Sequence, residues 1–271
     1  MNALQKSLST CLLATGALLV GASPAWAQVS LGAASGFAVL GGTNVTCTSG
    51  SVVTEDVGVS PGSAVPFTDT GCTFAGAIPP ATNAAADQAR TAFLSAYAAL
   101  QLKSKSCTQV PGNLSGLNLV PGVYCTDAVA KAGTLTLTGP ANGVWIFLVN
   151  GALTGTNFSV VMAGGGQPCN VFWAPSAATT MTTSAFKGNI LAGDAINGSI
   201  TLTGGTLAGR ALASVAVTMT GTSVVGCGAL SGSPSGKCKD RDRDDDKDHG
   251  HGNPFGSNDG HDGKSDGKNY N

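Results

Sequence analysis

Threonine alternating with a large apolar residue recurs five times through the middle of the chain. The stretches are Thr134-Leu-Thr136-Leu-Thr138, Leu153-Thr154-Gly-Thr156, Thr180-Met181-Thr182, Ile200-Thr201-Leu202-Thr203 and Val217-Thr218-Met219-Thr220. Successive side chains of a strand point to opposite faces, so each stretch sets apolar groups on one side and hydroxyls on the other. From Thr136 to Thr154, Thr180, Thr201 and Thr218 the steps are 18, 26, 21 and 17 residues. That spacing predicts a chain coiling into stacked turns. Stacking would rank the threonines on a regular, nearly uncharged surface suited to organised water.

The flanks obey different rules. Residues 1–27 predict a secretory leader, with Lys6, an apolar stretch from Leu8 to Val20 and the small-x-small site Ala25-Trp26-Ala27. The apolar run is short and interrupted for a membrane span. No other segment suits one, so the sequence predicts a secreted, soluble mature protein, extracellular or periplasmic after cleavage near Ala27. From Lys237 the chain carries seven basic residues, nine aspartates and all three histidines. So little apolar content predicts a disordered charged tail over 231–271.

Between these flanks charge is scarce. From Gln28 to Gly236 the bases are Arg90, Lys103, Lys105, Lys131, Lys187 and Arg210, and the acids Glu55, Asp56, Asp69, Asp87, Asp127 and Asp194. Nucleic acid and anionic membrane surfaces both select clustered Lys and Arg, so neither is expected as a partner. Histidine is absent from that stretch, which excludes a Ser-His-Asp triad there. Only Glu55-Asp56 form a close acidic pair, too few carboxylates for a solenoid lyase or hydrolase. No enzyme activity and no cofactor is expected. In the tail, Asp240, Asp242 and Asp244 have the first spacings of a calcium loop, but Asp245 replaces its glycine and no closing glutamate follows; no metal is expected.

Export makes disulfides the first reading of the cysteines left after cleavage. Chain proximity favours Cys47 with Cys72 and Cys107 with Cys125, and then Cys169 with Cys227; connectivity itself is open at this level. Cys238 is left over at the root of the tail, so a monomer is expected, with Cys238 available to link two chains.

Short apolar runs and turn residues from Val29 to Val65 read as strands. The period then changes. Ala89, Phe93, Ala96, Tyr97 and Leu100 lie three or four apart, predicting a helix over about 83–103, capped at Thr82 or Asn83, that packs along one flank. Val144-Trp-Ile-Phe-Leu-Val149 and Asn170-Val-Phe-Trp173 lack alternation, as strands buried on both faces do. One domain over 28–230 is the simplest account.

Several ordered motifs carry a resemblance. They are Leu31-Gly32 with Phe37-Ala-Val-Leu40, Asp56-Val-Gly-Val-Ser-Pro-Gly62, Pro121-Gly-Val-Tyr124, Val144-Trp-Ile-Phe147, Asn170-Val-Phe-Trp173, Phe186-Lys-Gly-Asn-Ile-Leu-Ala192 and Gly209-Arg-Ala-Leu-Ala213. In this order they resemble the globular ice-binding (antifreeze) protein family. The resemblance implies a mainly β fold: a right-handed, irregular (discontinuous) parallel β-solenoid of triangular section with one long helix along its side. It further implies adsorption to ice through a flat face carrying loosely repeated Thr-Ala/Gly-x-Thr/Asn. Thr154-Gly-Thr-Asn157, Thr203-Gly-Gly-Thr206 and Thr220-Gly-Thr-Ser223 follow that form, and Thr43-Asn-Val-Thr46 follows it with Asn44 second. Thr180-Met-Thr-Thr183 departs from it. The candidate ice-binding residues are therefore Thr43, Thr46, Thr154, Thr156, Asn157, Thr182, Thr201, Thr203, Thr206, Thr218, Thr220 and Thr222. The competing expectation is an adhesive or structural solenoid at the cell surface that binds polysaccharide or protein.

Overall fold

The structure is a computed structural model that describes residues 29–62, 67–78, 84–128 and 130–230. The expected leader, the charged tail and Cys238 lie outside the described residues. Every strand pairing is parallel, and a full turn of the chain visits three strands. One sheet stacks, in order, Asp56–Val59, Phe37–Gly41, Ala211–Ala213, Asn189–Ala192, Val171–Pro175, Trp145–Asn150, Gly122–Asp127 and Thr108–Gln109. The N-terminal turns thus stack on the C-terminal one, with Val39 beside Ala211 and Leu40 beside Leu212. That makes the solenoid discontinuous in sequence.

The strands of this sheet are apolar on both sides for a definite reason. Trp145, Phe147, Val171, Trp173 and Ile190 point into the solenoid. Ile146, Leu148, Phe172, Leu191 and Leu212 point out, onto the helix α1 (Ala84–Gln101), which answers with Ala86, Ala89, Phe93, Ala96 and Leu100. An exposed sheet would alternate; a sheet covered by its own interior and by a helix cannot. The helix begins and ends within two residues of the sequence expectation, and Tyr97 reaches past the stripe to bond the Pro175 carbonyl at 3.1 Å.

Inside, aromatic rings stack from turn to turn. Tyr124, Phe147 and Trp173 are register partners, with ring centroids 5.5 and 4.0 Å apart, and Phe186 lies 4.9 Å beyond Trp173. Along the same register Trp173 is followed by Ile190, Ala211, Val39 and Val57. The polar tips are satisfied: Trp145 Nε1 donates to Leu119 O and Trp173 Nε1 to Lys187 O, both at 3.0 Å. Three disulfides join Cys47 to Cys72, Cys107 to Cys125 and Cys169 to Cys227.

Lys131 is a cation buried inside the solenoid. It is 0% exposed, opposite Gly155, and its ammonium donates to Gly112 O at 2.7 Å and Asp127 O at 2.9 Å. Burial lowers its pKa from 10.5 to about 8, against the opposing pull of the Asp127 charge. The unfolded chain therefore holds a proton between pH 8 and 10.5 that the folded chain has released. Stability should rise with pH through that window, by roughly 1–3 kcal/mol. Thermal melts of a Cys238→Ser background at pH 8 and 10 check this, and Lys131→Met should remove the rise.

Candidate functional site

The second sheet bends at a corner in every turn and so supplies two faces. Its first half presents one residue type. Register places Thr154, Thr180, Thr201, Thr218, Thr46 and Thr68 side by side in one outward column. Thr156, Thr182, Thr203, Thr220, Thr48 and Thr70 form the next. Between them Gly155, Met181, Leu202, Met219 and Cys47 turn inward and are buried. Parallel strands lie about 4.8 Å apart and alternate residues about 6.6 Å apart, so six ranks span roughly 24 Å.

All twelve positions are threonine, and each is exposed or half-buried. The charged residues in the strands that carry the two columns are Asp69, between Thr68 and Thr70, and Lys187, which lies past the corner at the end of Thr179–Lys187. Asp69 accepts the Cys72 N–H at 2.9 Å. One hydroxyl pair is internally bonded, Thr48 Oγ1 to Thr220 Oγ1 at 2.8 Å. β-Branched χ1 is stiff, so side-chain directions follow the backbone, and the backbone is held by a continuous parallel ladder.

What ends each rank is a corner residue in the left-handed region. Asn157 (φ 49°), Thr183 (φ 45°), Gly204 (φ 63°), Gly221 (φ 59°), Ser49 (φ 34°) and Gly71 (φ 97°) each follow the second threonine directly. The corner turns the chain onto the third face. There the column is Thr134, Ser159, Ala185, Thr206, Ser223, Val52 and Thr73, a mixture with no repeating chemistry.

Of the candidate residues, Thr46, Thr154, Thr156, Thr182, Thr201, Thr203, Thr218 and Thr220 lie together in the two columns. Four do not. Asn157 is a corner residue whose Oδ1 accepts from Thr183 Oγ1 at 2.6 Å. Thr206 stands on the third face, because Gly204-Gly205 intervene between it and Thr203. Thr222 points inside the corner and is 2% exposed. Thr43 precedes its strand, and its hydroxyl donates to Val215 O at 3.0 Å. The Thr134–Thr138 stretch also belongs to the third face.

Four array positions were not among the candidates: Thr48, Thr68, Thr70 and Thr180. The Thr-x-Thr spacing in Thr46-Cys-Thr48, Thr68-Asp-Thr70 and Thr180-Met-Thr182 was the available signal. A cysteine and an aspartate at the central position disguised the first two as something other than apolar alternation.

Stacked parallel turns that carry a two-column plane of hydroxyls and methyls on one face define a β-solenoid. The chain belongs to the ice-binding-like family, whose model matches residues 39–225. An ice-binding protein of Nostoc sp. (strain HG1) is 40% identical over 202 residues, covering 70% of this chain and 71% of that one. Another, from Flavobacterium frigoris (strain PS1), is 34% identical over 206 residues, covering 70% and 74%. Among solved structures, an ice-binding protein from an Antarctic biological consortium superposes with a TM-score of 0.60. It shares 30% identity and covers 83% of this chain and 95% of that one.

Proposed function

We propose that the chain adsorbs to ice through its two-column threonine face and so restrains ice growth and recrystallisation. The observation that carries this reading is the register of twelve threonines across six parallel strands. Outward hydroxyls anchor waters by hydrogen bonding, while each methyl restricts the orientations open to the next. A stiff grid loses little rotamer entropy when those waters join an ice surface. Adsorbed molecules pin the front, which then grows curved between them and at a lower temperature. No proton, electron or cofactor takes part, and no catalytic role is needed. Residues 1–27 act in this reading as an export leader, which delivers the face to water outside the cell; no helix among the described residues is long and apolar enough to cross a membrane.

Among the described residues the adhesive alternative finds no tryptophan platform for sugar stacking, since Trp145 and Trp173 are fully buried. Ice-affinity capture of the mature protein tests the proposal directly. Wild type should concentrate in a slowly growing ice phase, whereas a Thr154→Tyr, Thr203→Tyr, Thr220→Tyr variant should stay in the liquid. Equal partition of the two would reject the face, and exclusion of both would reject ice as the ligand.

A further inference from the structure

Inside the corner that bounds the threonine face runs a row of buried hydroxyls. Ser184, Thr222 and Ser51 are 3%, 2% and 0% exposed. Each donates to the carbonyl of the last array threonine in its own turn: Ser184 to Thr182 O at 3.0 Å, Thr222 to Thr220 O at 3.3 Å, and Ser51 to Thr48 O at 3.2 Å. Two of them also accept a backbone N–H from the adjoining turn. Phe158 N donates to Ser184 Oγ at 3.2 Å, and Thr222 N to Ser51 Oγ at 3.1 Å. Thr222 Oγ1 shares its proton with Gly204 O, 3.2 Å away.

The turn that carries Thr203 has Gly205 at this place. A Cβ there would sit 2.2 Å from Ser184 O, so no side chain fits. Thr222, reaching back to Gly204 O, serves that turn as well as its own.

We propose that Ser184, Thr222 and Ser51 are positioning residues that keep the corner-side column of the array, Thr182, Thr220 and Thr48, in one plane. The inference rests on the reading that this face binds ice. A carbonyl held from inside the corner fixes the peptide plane that follows the threonine, and with it the direction of Cα–Cβ. Because χ1 is stiff, hydroxyl and methyl heights above the plane follow. Without the bond, the carbonyl loses its partner inside the corner, and local rotation is the cheapest relief. The second threonine of each rank, next to a left-handed corner, is where such rotation would appear.

The test compares Thr222→Val, which keeps the shape and removes the hydroxyl, with Thr222→Ser, which keeps the hydroxyl. Val224→Ala serves as control, since Val224 is fully buried in the strand that leaves the same corner. Ice adsorption is measured well below every unfolding midpoint, together with methyl-relaxation order of Thr220 and Thr203. Thr222→Val should adsorb roughly two- to tenfold more weakly, with new rotamer averaging at Thr220; Thr222→Ser should restore both. Val224→Ala should unfold at a lower temperature and change neither.

A rigid Thr220 in Thr222→Val overturns the proposal, and so does an equal loss of adsorption in Val224→Ala. Should wild type itself ignore ice, the face reading fails while Thr220 order still decides the positioning role. If Thr222→Val does not fold, Ser184→Ala read at Thr182 makes the same decision.

Discussion

Replacing Thr218 by tyrosine should abolish most ice activity while leaving the fold intact. Thr218 lies near the middle of its column, between Thr201 and Thr46. A phenol ring there would stand above every neighbouring hydroxyl and hold the flat surface away from an ice front. Contacts at the centre of a rigid interface dominate its energetics, so a loss of roughly tenfold or more in thermal hysteresis at equal concentration is expected. The substitution is outward on a strand, where tyrosine is well tolerated, and stability should shift by less than about 1 kcal/mol. Thr206→Tyr provides the comparison on the third face and should retain wild-type hysteresis. Circular dichroism melts of both variants separate lost adsorption from lost fold. The reverse pattern, with Thr206→Tyr inactive and Thr218→Tyr active, would move the site across the corner.

Arg210→Ala should destabilise the fold strongly, by about 3–5 kcal/mol, because it removes the cation that faces the buried Glu55 Oε2. Arg210 is 6% exposed where the N-terminal turns meet the C-terminal one. Its guanidinium donates to Ser35 O and to Asn189 Oδ1 at 3.2 Å, and lies 3.9 Å from the Glu55 carboxylate. Burial lowers the Arg210 pKa and the Glu55 charge opposes that. Glu55 Oε1 accepts the Gly228 N–H, whereas Oε2 is buried without a hydrogen bond and faces only the cation. Pairing the change with Glu55→Gln should recover a large part of the loss, and a chemical-denaturation double-mutant cycle measures how much.

The location of that loss matters for function. Cys47–Cys72 lies within the N-terminal turns, and the other two disulfides lie within 107–230, so among the described residues no disulfide crosses this junction. It is held by ladder bonds, by Arg210, and by Arg90 of α1, which donates to Ser60 O and Ser214 O at 3.0 and 3.1 Å. The N-terminal turns contribute Thr46, Thr48, Thr68 and Thr70. Hydrogen exchange of Arg210→Ala should therefore show those four ranked residues opening before Thr154 to Thr203, shortening the array from one end.

Much of this arrangement was legible along the chain. Period-2 alternation marked Thr201, Thr203, Thr218 and Thr220 as outward on strands, since pleating forces that outcome locally. The single apolar stripe at Ala89, Phe93, Ala96 and Leu100 marked one helix with one covered flank. The uninterrupted runs at Trp145 and Trp173 marked strands buried twice over.

Membership of one face was not legible, because it is set by corners and by stacking rather than by alternation. Thr203 and Thr206 are three residues apart and end on different faces, since Gly204 and Gly205 turn the backbone between them. Thr222 follows the same alternation as Thr220 yet points inward, because the corner reverses its side. Thr48 and Thr220 are 172 residues apart and touch. The amino-acid sequence by itself determined which residues are strand-borne, neutral and stiff. Only the tertiary structure decided which of them share a plane, because register between distant turns depends on how the first turns close over the last.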